Sequence, residues 1–141
     1  MSSKETVFEG VHSSFAIGRP ARAVVVIRIA GTDVGELGDL PFQELAKDLA
    51  ASDSLQLFVD ARDASGPSVE VSSQWGSWFR KNRQVFDRVV MLPGSRFVEF
   101  TATFVRDFSG LGERMQIVTD AATFDEALRA CSATRGASSV G

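Results

Sequence analysis

Tyrosine is missing from this 141-residue sequence, and cysteine and histidine occur once each, as Cys131 and His12. A lone cysteine closes no intramolecular disulfide, which points to a reducing compartment. A lone histidine leaves nucleophilic catalysis of the Ser–His–Asp or Cys–His kind without companions. His12 falls in an opening strand, and Cys131 lies in the last turn of the last helix between Ala130 and Ser132. Neither CxxC nor HxxxH spacing occurs, so the sequence offers no nucleus for a metal site and implies no cofactor. No apolar run approaches about 18 residues, and the polar start MSSKET lacks a signal peptide's apolar stretch. A cytoplasmic protein without an integral membrane segment is therefore expected. Fifteen Lys and Arg against 18 Asp and Glu, a net charge of -3, lack the basic excess of a nucleic-acid binder.

What is present is apolar and aromatic. With 44% hydrophobic residues, a chain of this length buries roughly 68–70% of its unfolded surface, enough for one self-sufficient core and too little for two. A single domain over residues 6–132 is expected, with the small, polar stretches 1–5 and 133–141 as flexible termini. Val7–Glu9 reads as a short strand, and Val11–Ile17 as a half-exposed strand broken by Gly18–Arg19–Pro20. The β-branched run Ala23–Ile29 suits a strand covered on both faces. Asp39–Leu40–Pro41 opens a helix with Leu40, Leu45 and Leu49 inward, ended by Ser52–Asp53.

Leu55–Asp60 and Arg88–Leu92 read as core strands. Between them, Ser72 or Ser73 caps a helix running to Asp87, with Trp75, Trp78, Phe79, Asn82, Val85 and Phe86 near one face. In the next helix Phe97, Phe100, Thr101, Phe104, Val105 and Phe108 form an i, i+3, i+4 stripe, stopped by Gly110 or Gly112. Met115–Val118 is the final strand and Thr123–Ala130 a short final helix. The order βββαβαβαβα predicts an α/β fold: a mixed sheet, antiparallel at first and parallel later, with helices packed on it. Val24, Val26, Leu57, Val59, Val90, Phe104 and Ile117 are expected inside.

These elements, from Leu55–Asp60 and the Trp75/Trp78 helix to Arg88–Leu92, the Phe-rich helix, Met115–Val118 and the terminal FDEAL, resemble the SpoIIAA-like branch of the STAS superfamily over residues 6–132. The resemblance implies a SpoIIAA-like (STAS-like) mixed sheet and a non-enzymatic module that binds proteins, nucleotides or apolar ligands. Asp107–Gly112 spells DFSGLG, close to the DSSGLG segment carrying the regulatory serine of anti-sigma-factor antagonists, but it follows a helix instead of opening one. By element order that serine corresponds to Ser72 or Ser73, where the segment's Asp and Gly are replaced by Val71 and Gln74. These two serines are candidate phosphorylation positions, since a phosphate there would face a helix N-terminus.

The functional reading is a non-catalytic binding or regulatory module. Its aromatic helix pair engages a protein partner or a small apolar or anionic ligand, and a homodimer is compatible with it. Trp75 and Trp78 are the candidate contact rings, Arg80 in the cluster Arg80, Lys81, Arg83 and Arg88 the candidate cation, and Asp60 the candidate strand-end carboxylate. The competing reading is a small hydrolytic or phosphate-handling enzyme built on Asp60, Asp63 and the basic cluster.

Overall fold

The computed structural model describes the backbone of residues 5–140 and the side chains as far as Thr134. The terminal residues 1–4 and Gly141, expected to be flexible, lie outside the described residues. The elements follow the expected order: β1 (Thr6–Glu9), β2 (Ser13–Ala21), β3 (Val24–Gly31), α1 (Leu40–Ala51), β4 (Leu55–Ala64), α2 (Val69–Lys81), β5 (Phe86–Pro93), α3 (Arg96–Ser109), β6 (Met115–Ile117) and α4 (Ala121–Val140). They form one six-stranded sheet in the order β1-β2-β3-β4-β5-β6. The first three strands are antiparallel neighbours. From β3 onward every pairing is parallel.

The central strands read as unbroken apolar runs because both faces are covered. Val25, Ile27, Leu55, Leu57, Val59 and Val89 point into one core with Leu45 of α1, Phe79 of α2 and Val105 of α3. Val24, Val26, Phe58 and Val90 point the other way, onto Phe124 of α4. Period-two alternation thus assigns each strand residue to the α1–α3 face or the α4 face.

Several boundaries move. β2 continues through Gly18–Arg19–Pro20, which bends the strand in an irregularity between Gly18 and Ala21 instead of ending it. Proline is tolerated in that stretch because the ladder is already interrupted there. Leu40 is exposed, and Pro41 with Leu45 forms the buried face of α1. Helix α2 begins at Val69 because Ser68, not Ser72 or Ser73, accepts the capping hydrogen bond, from the Val71 N–H at 3.2 Å. It ends at Asn82, whose N–H and Nδ2 both donate to the Trp78 carbonyl at 3.1 and 2.9 Å. Phe86 consequently starts β5 and is no part of the helix face.

Helix α4 is longer than the Thr123–Ala130 expectation and passes residue 132, and its continuation contains no proline to stop it. Asp120 anchors its start, accepting hydrogen bonds from the Thr123 N–H (2.8 Å) and hydroxyl (2.7 Å). The hydroxyl bond first, then the N–H bond, hold its carboxyl below the ordinary aspartate value of 3.8. A lowered pKa means that this anchoring is complete above the ordinary carboxyl range and is lost as pH falls through the lowered value. Amide exchange at Thr123 and Phe124 should therefore accelerate in acid beyond the intrinsic pH trend, and Asp120→Ala should abolish that extra acceleration.

Candidate functional site

The side of the sheet under α2 and α3 is incompletely filled. At the carboxyl ends of β3, β4 and β5, where open α/β sheets place their ligand crevices, a cavity of about 70 Å³ remains. Ile29, Val59 and Met91 form its floor, with Trp75, Phe79, Val98 and Ala102 of the two helices above. Polar groups are few in this lining, chiefly Asp33 and Ser72. Ser72 is buried and its hydroxyl donates to the Ser68 carbonyl at 3.0 Å, so it presents no free donor. The cavity exists because α3 faces the sheet with the short side chains of Val98, Ala102, Val105 and Ser109, which do not reach across the gap.

Two glycines hold the rim. Gly66 has φ +118, and a Cβ there would come within 2.3 Å of the Phe97 ring. Gly31, at the end of β3, has φ +77 and packs against the His12 carbonyl. Both conformations are costly for any residue with a side chain.

The residues singled out from sequence are not gathered at this cavity. Trp75 lines it, and its ring stacks on Phe15 (5.7 Å between centroids) and meets Phe42 at 4.6 Å. Trp78 does not line it. It lies against Phe79 and Phe86 at 5.1 and 5.4 Å, near the amino end of β5. Because the helix starts at Val69, Trp78 is nine residues inside it, about 14 Å along its axis and away from the strands' carboxyl ends.

Asp60 is on the opposite face of the sheet, buried, and accepts from Arg62 Nε at 2.9 Å while Arg62 Nη2 reaches Asp125 of α4. The Asp60 hydrogen bond, ahead of that from Asp125, raises the Arg62 pKa further above its ordinary value. Asp63 is exposed near the end of β4. Ser73 is half-buried within α2.

The basic cluster is divided as well. Arg80 donates to the Phe108 carbonyl at 3.3 Å and Arg83 to the Arg80 carbonyl at 3.2 Å, so both sit at helix carboxyl ends. Arg88 leaves for the α4 face, where Nε donates to Gln56 and the guanidinium lies 5.4 Å from the Phe58 ring centre. The expected union of the Trp75/Trp78 face with the Phe97–Phe108 stripe does not form either. Phe104, expected in the core, is exposed, as are Phe97, Phe100 and Phe108, and Ile117 is only half-buried. The second stripe of α3, Val98, Ala102, Val105 and Ser109, takes the inward position. Gly76 of α2 accommodates the neighbouring Phe108 ring, with room for no Cβ beyond 2.9 Å.

Sequence reasoning passed over Asp33, Met91, Val98 and Ala102. The available signal was the run of short residues at helical spacing in α3, which marks a face able to approach a sheet without filling the space before it. Among the described residues, no three His, Cys, Asp or Glu side chains come together as metal ligands, and no helix is long and apolar enough to cross a membrane.

The architecture defines an α/β domain with a SpoIIAA-like fold. A solved structure of an uncharacterized DUF3478 family protein with a SpoIIAA-like fold, from Shewanella loihica PV-4, superposes with a TM-score of 0.58 at 12% identity, covering 90% of this chain and 94% of that one. The anti-sigma factor antagonist SpoIIAA in its unphosphorylated form superposes with a TM-score of 0.57 at 21% identity, over 80% of this chain and 95% of its own. No family model matches the sequence. No curated protein matches it either.

Proposed function

We propose that this protein is a non-catalytic binding module and that the cavity under α2 and α3 receives a small, neutral, apolar group. The single observation that carries this reading is the nearly wholly apolar cavity at the strands' carboxyl ends, bordered by Trp75. Its size suits a short aliphatic or small ring portion of a ligand and is far below the several hundred Å³ of a nucleotide-sized site. An anionic head finds no support there: the acidic Asp33 lines the cavity, whereas Arg80, Arg83 and Arg88 are committed elsewhere. The name of the SpoIIAA neighbour, an anti-sigma factor antagonist, supports a regulatory module over an enzyme.

The test uses 1-hexanol and hexanoate as probes, followed through the Met91 and Ala102 methyl resonances. Saturable shifts at millimolar 1-hexanol, with weaker binding of hexanoate, are expected. Ala102→Leu, which fills the cavity, should abolish the shift of the remaining reporter, the Met91 methyl, while leaving thermal stability equal or higher. Unsaturable or absent shifts in the wild-type protein overturn the reading.

A further inference from the structure

Helix α3 carries a row of partly exposed rings, with Phe97 resting against Gly66 and Phe108 against Gly76 of α2 at its two ends. Phe97, Phe100, Phe104 and Phe108 are 59, 75, 40 and 40% exposed. Together that is about two whole phenylalanine side chains, roughly 400 Å² on one helix face, near the largest apolar patch an ordinary monomer shows. With 3.6 residues per turn, this row and the buried stripe are separated by about 120° around the helix. The rings therefore contribute little to the core and leave a straight apolar ridge facing outward.

We infer that this ridge is a self-complementary interface through which two copies of the chain pair, α3 against α3, antiparallel about a twofold axis level with Ala102. That axis sets Phe100 opposite Phe104 of the second copy and Phe97 opposite Phe108, so every ring in the row meets another ring. The charges obey the same symmetry. Arg96 and Asp107 lie side by side along one edge of the row, next to Phe100 on the helical wheel, and both are exposed. In an antiparallel twofold pair the same edge of both helices faces the same side, so each Arg96 meets the opposite Asp107 and each Asp107 the opposite Arg96. Like charges are not brought together.

A membrane surface is the less suitable occupant. The four charges of α3, Arg96, Glu99, Arg106 and Asp107, cancel, and the whole protein is acidic at -3, whereas anionic lipid attracts a basic face. With roughly 800 Å² contributed by the rings of both copies, and the flanking pairs adding to it, the interface falls at the small end of specific association, so a reversible dimer is expected.

Sedimentation equilibrium of the full chain between about 1 and 200 µM, a range that brackets a weak dimer, tests this inference, with circular dichroism and thermal melting confirming that each variant folds. The wild-type protein should move from monomer to dimer over this range. Phe100→Glu, at the most exposed ring, should raise the dissociation constant at least about tenfold. Arg96→Asp and Asp107→Arg should each weaken pairing several-fold by setting like charges opposite each other, and the double reversal R96D/D107R should restore it to within about twofold. A wild-type monomer throughout the range overturns the inference. So does a dimer indifferent to Phe100→Glu, or failure of the double reversal to recover what the single reversals lose. Flotation with phosphatidylglycerol-containing vesicles that depends on Phe100, from protein that remains monomeric, assigns the ridge to a lipid surface and equally overturns it. None of these readouts depends on 1-hexanol binding, so the dimer and the cavity reading fail or survive separately.

Discussion

Phe79→Ala is expected to cost about 3–5 kcal/mol of folding free energy, read as a fall in the urea midpoint at unchanged slope. Phe79 is 1% exposed, and its ring lies 5.1, 5.4 and 6.1 Å from those of Trp78, Phe86 and Trp75. It also borders the cavity, so truncation would enlarge an existing space instead of leaving a small void that neighbours can close. That places the loss toward the upper part of the range, because the cost of a large-to-small change grows with the volume left empty. Phe104→Ala is the informative contrast. That ring is 40% exposed, and its ring neighbour is Phe108 at 6.0 Å, so the expected loss is only about 1–2 kcal/mol, well below that at Phe79. Equal losses in the two variants would show that α3 presents its phenylalanines inward and would remove the basis for the exposed ridge.

Gly31→Ala is expected to destabilise by roughly 2–4 kcal/mol, combining the cost of a left-handed residue with displacement of a neighbouring strand. At φ +77 a Cβ would stand 2.3 Å from the His12 carbonyl oxygen and 3.1 Å from the Ser13 Cα, both main-chain atoms that no rotamer change can move aside. The same point holds three strands together: the Thr32 N–H donates to the His12 carbonyl at 2.9 Å, and the Ser65 N–H to the Gly31 carbonyl at 2.8 Å. Gly38→Ala isolates the conformational part, since Gly38 has φ +59 with nothing within 4 Å of a built Cβ, and should lose only about 1 kcal/mol. Denaturant titration of both variants separates the contributions. Gly31 and Asp33 also line the cavity, so Gly31→Ala should alter the response to 1-hexanol as well as stability. Equal losses at positions 31 and 38 would mean that the β2–β3 junction yields more easily than its packing indicates.

The element order was legible because its signals are local. Ala23–Ile29 and Leu55–Asp60 are continuous apolar runs, and such runs arise when both faces of a strand are buried. Gly110, with φ +77, ends α3 where a glycine was read as the stop. Ser68 was missed as the cap of α2 although a serine in the right context was available, because Ser72 and Ser73 stand closer to the aromatic run and sequence spacing alone does not rank caps. Trp75 could be chosen from its aromatic character, but its neighbour at the cavity, Ala102, carries no chemical signal by itself.

By itself the sequence determined the α/β class, the order of its ten elements and the two-faced burial of the central strands, all set by periods of 2 and 3.6 residues along the chain. Tertiary structure alone decided which stripe turns inward. Val98, Ala102, Val105 and Ser109 and the four phenylalanines have equally regular helical spacing, so periodicity does not distinguish them. The short stripe faces in because α3 lies close to the sheet, an approach that a row of four phenylalanine rings would block. That rotation of one helix leaves the cavity beneath it and the aromatic ridge above it, while the strand alternation that turns Asp60 and Arg88 toward α4 separates them from the rings with which sequence order had grouped them.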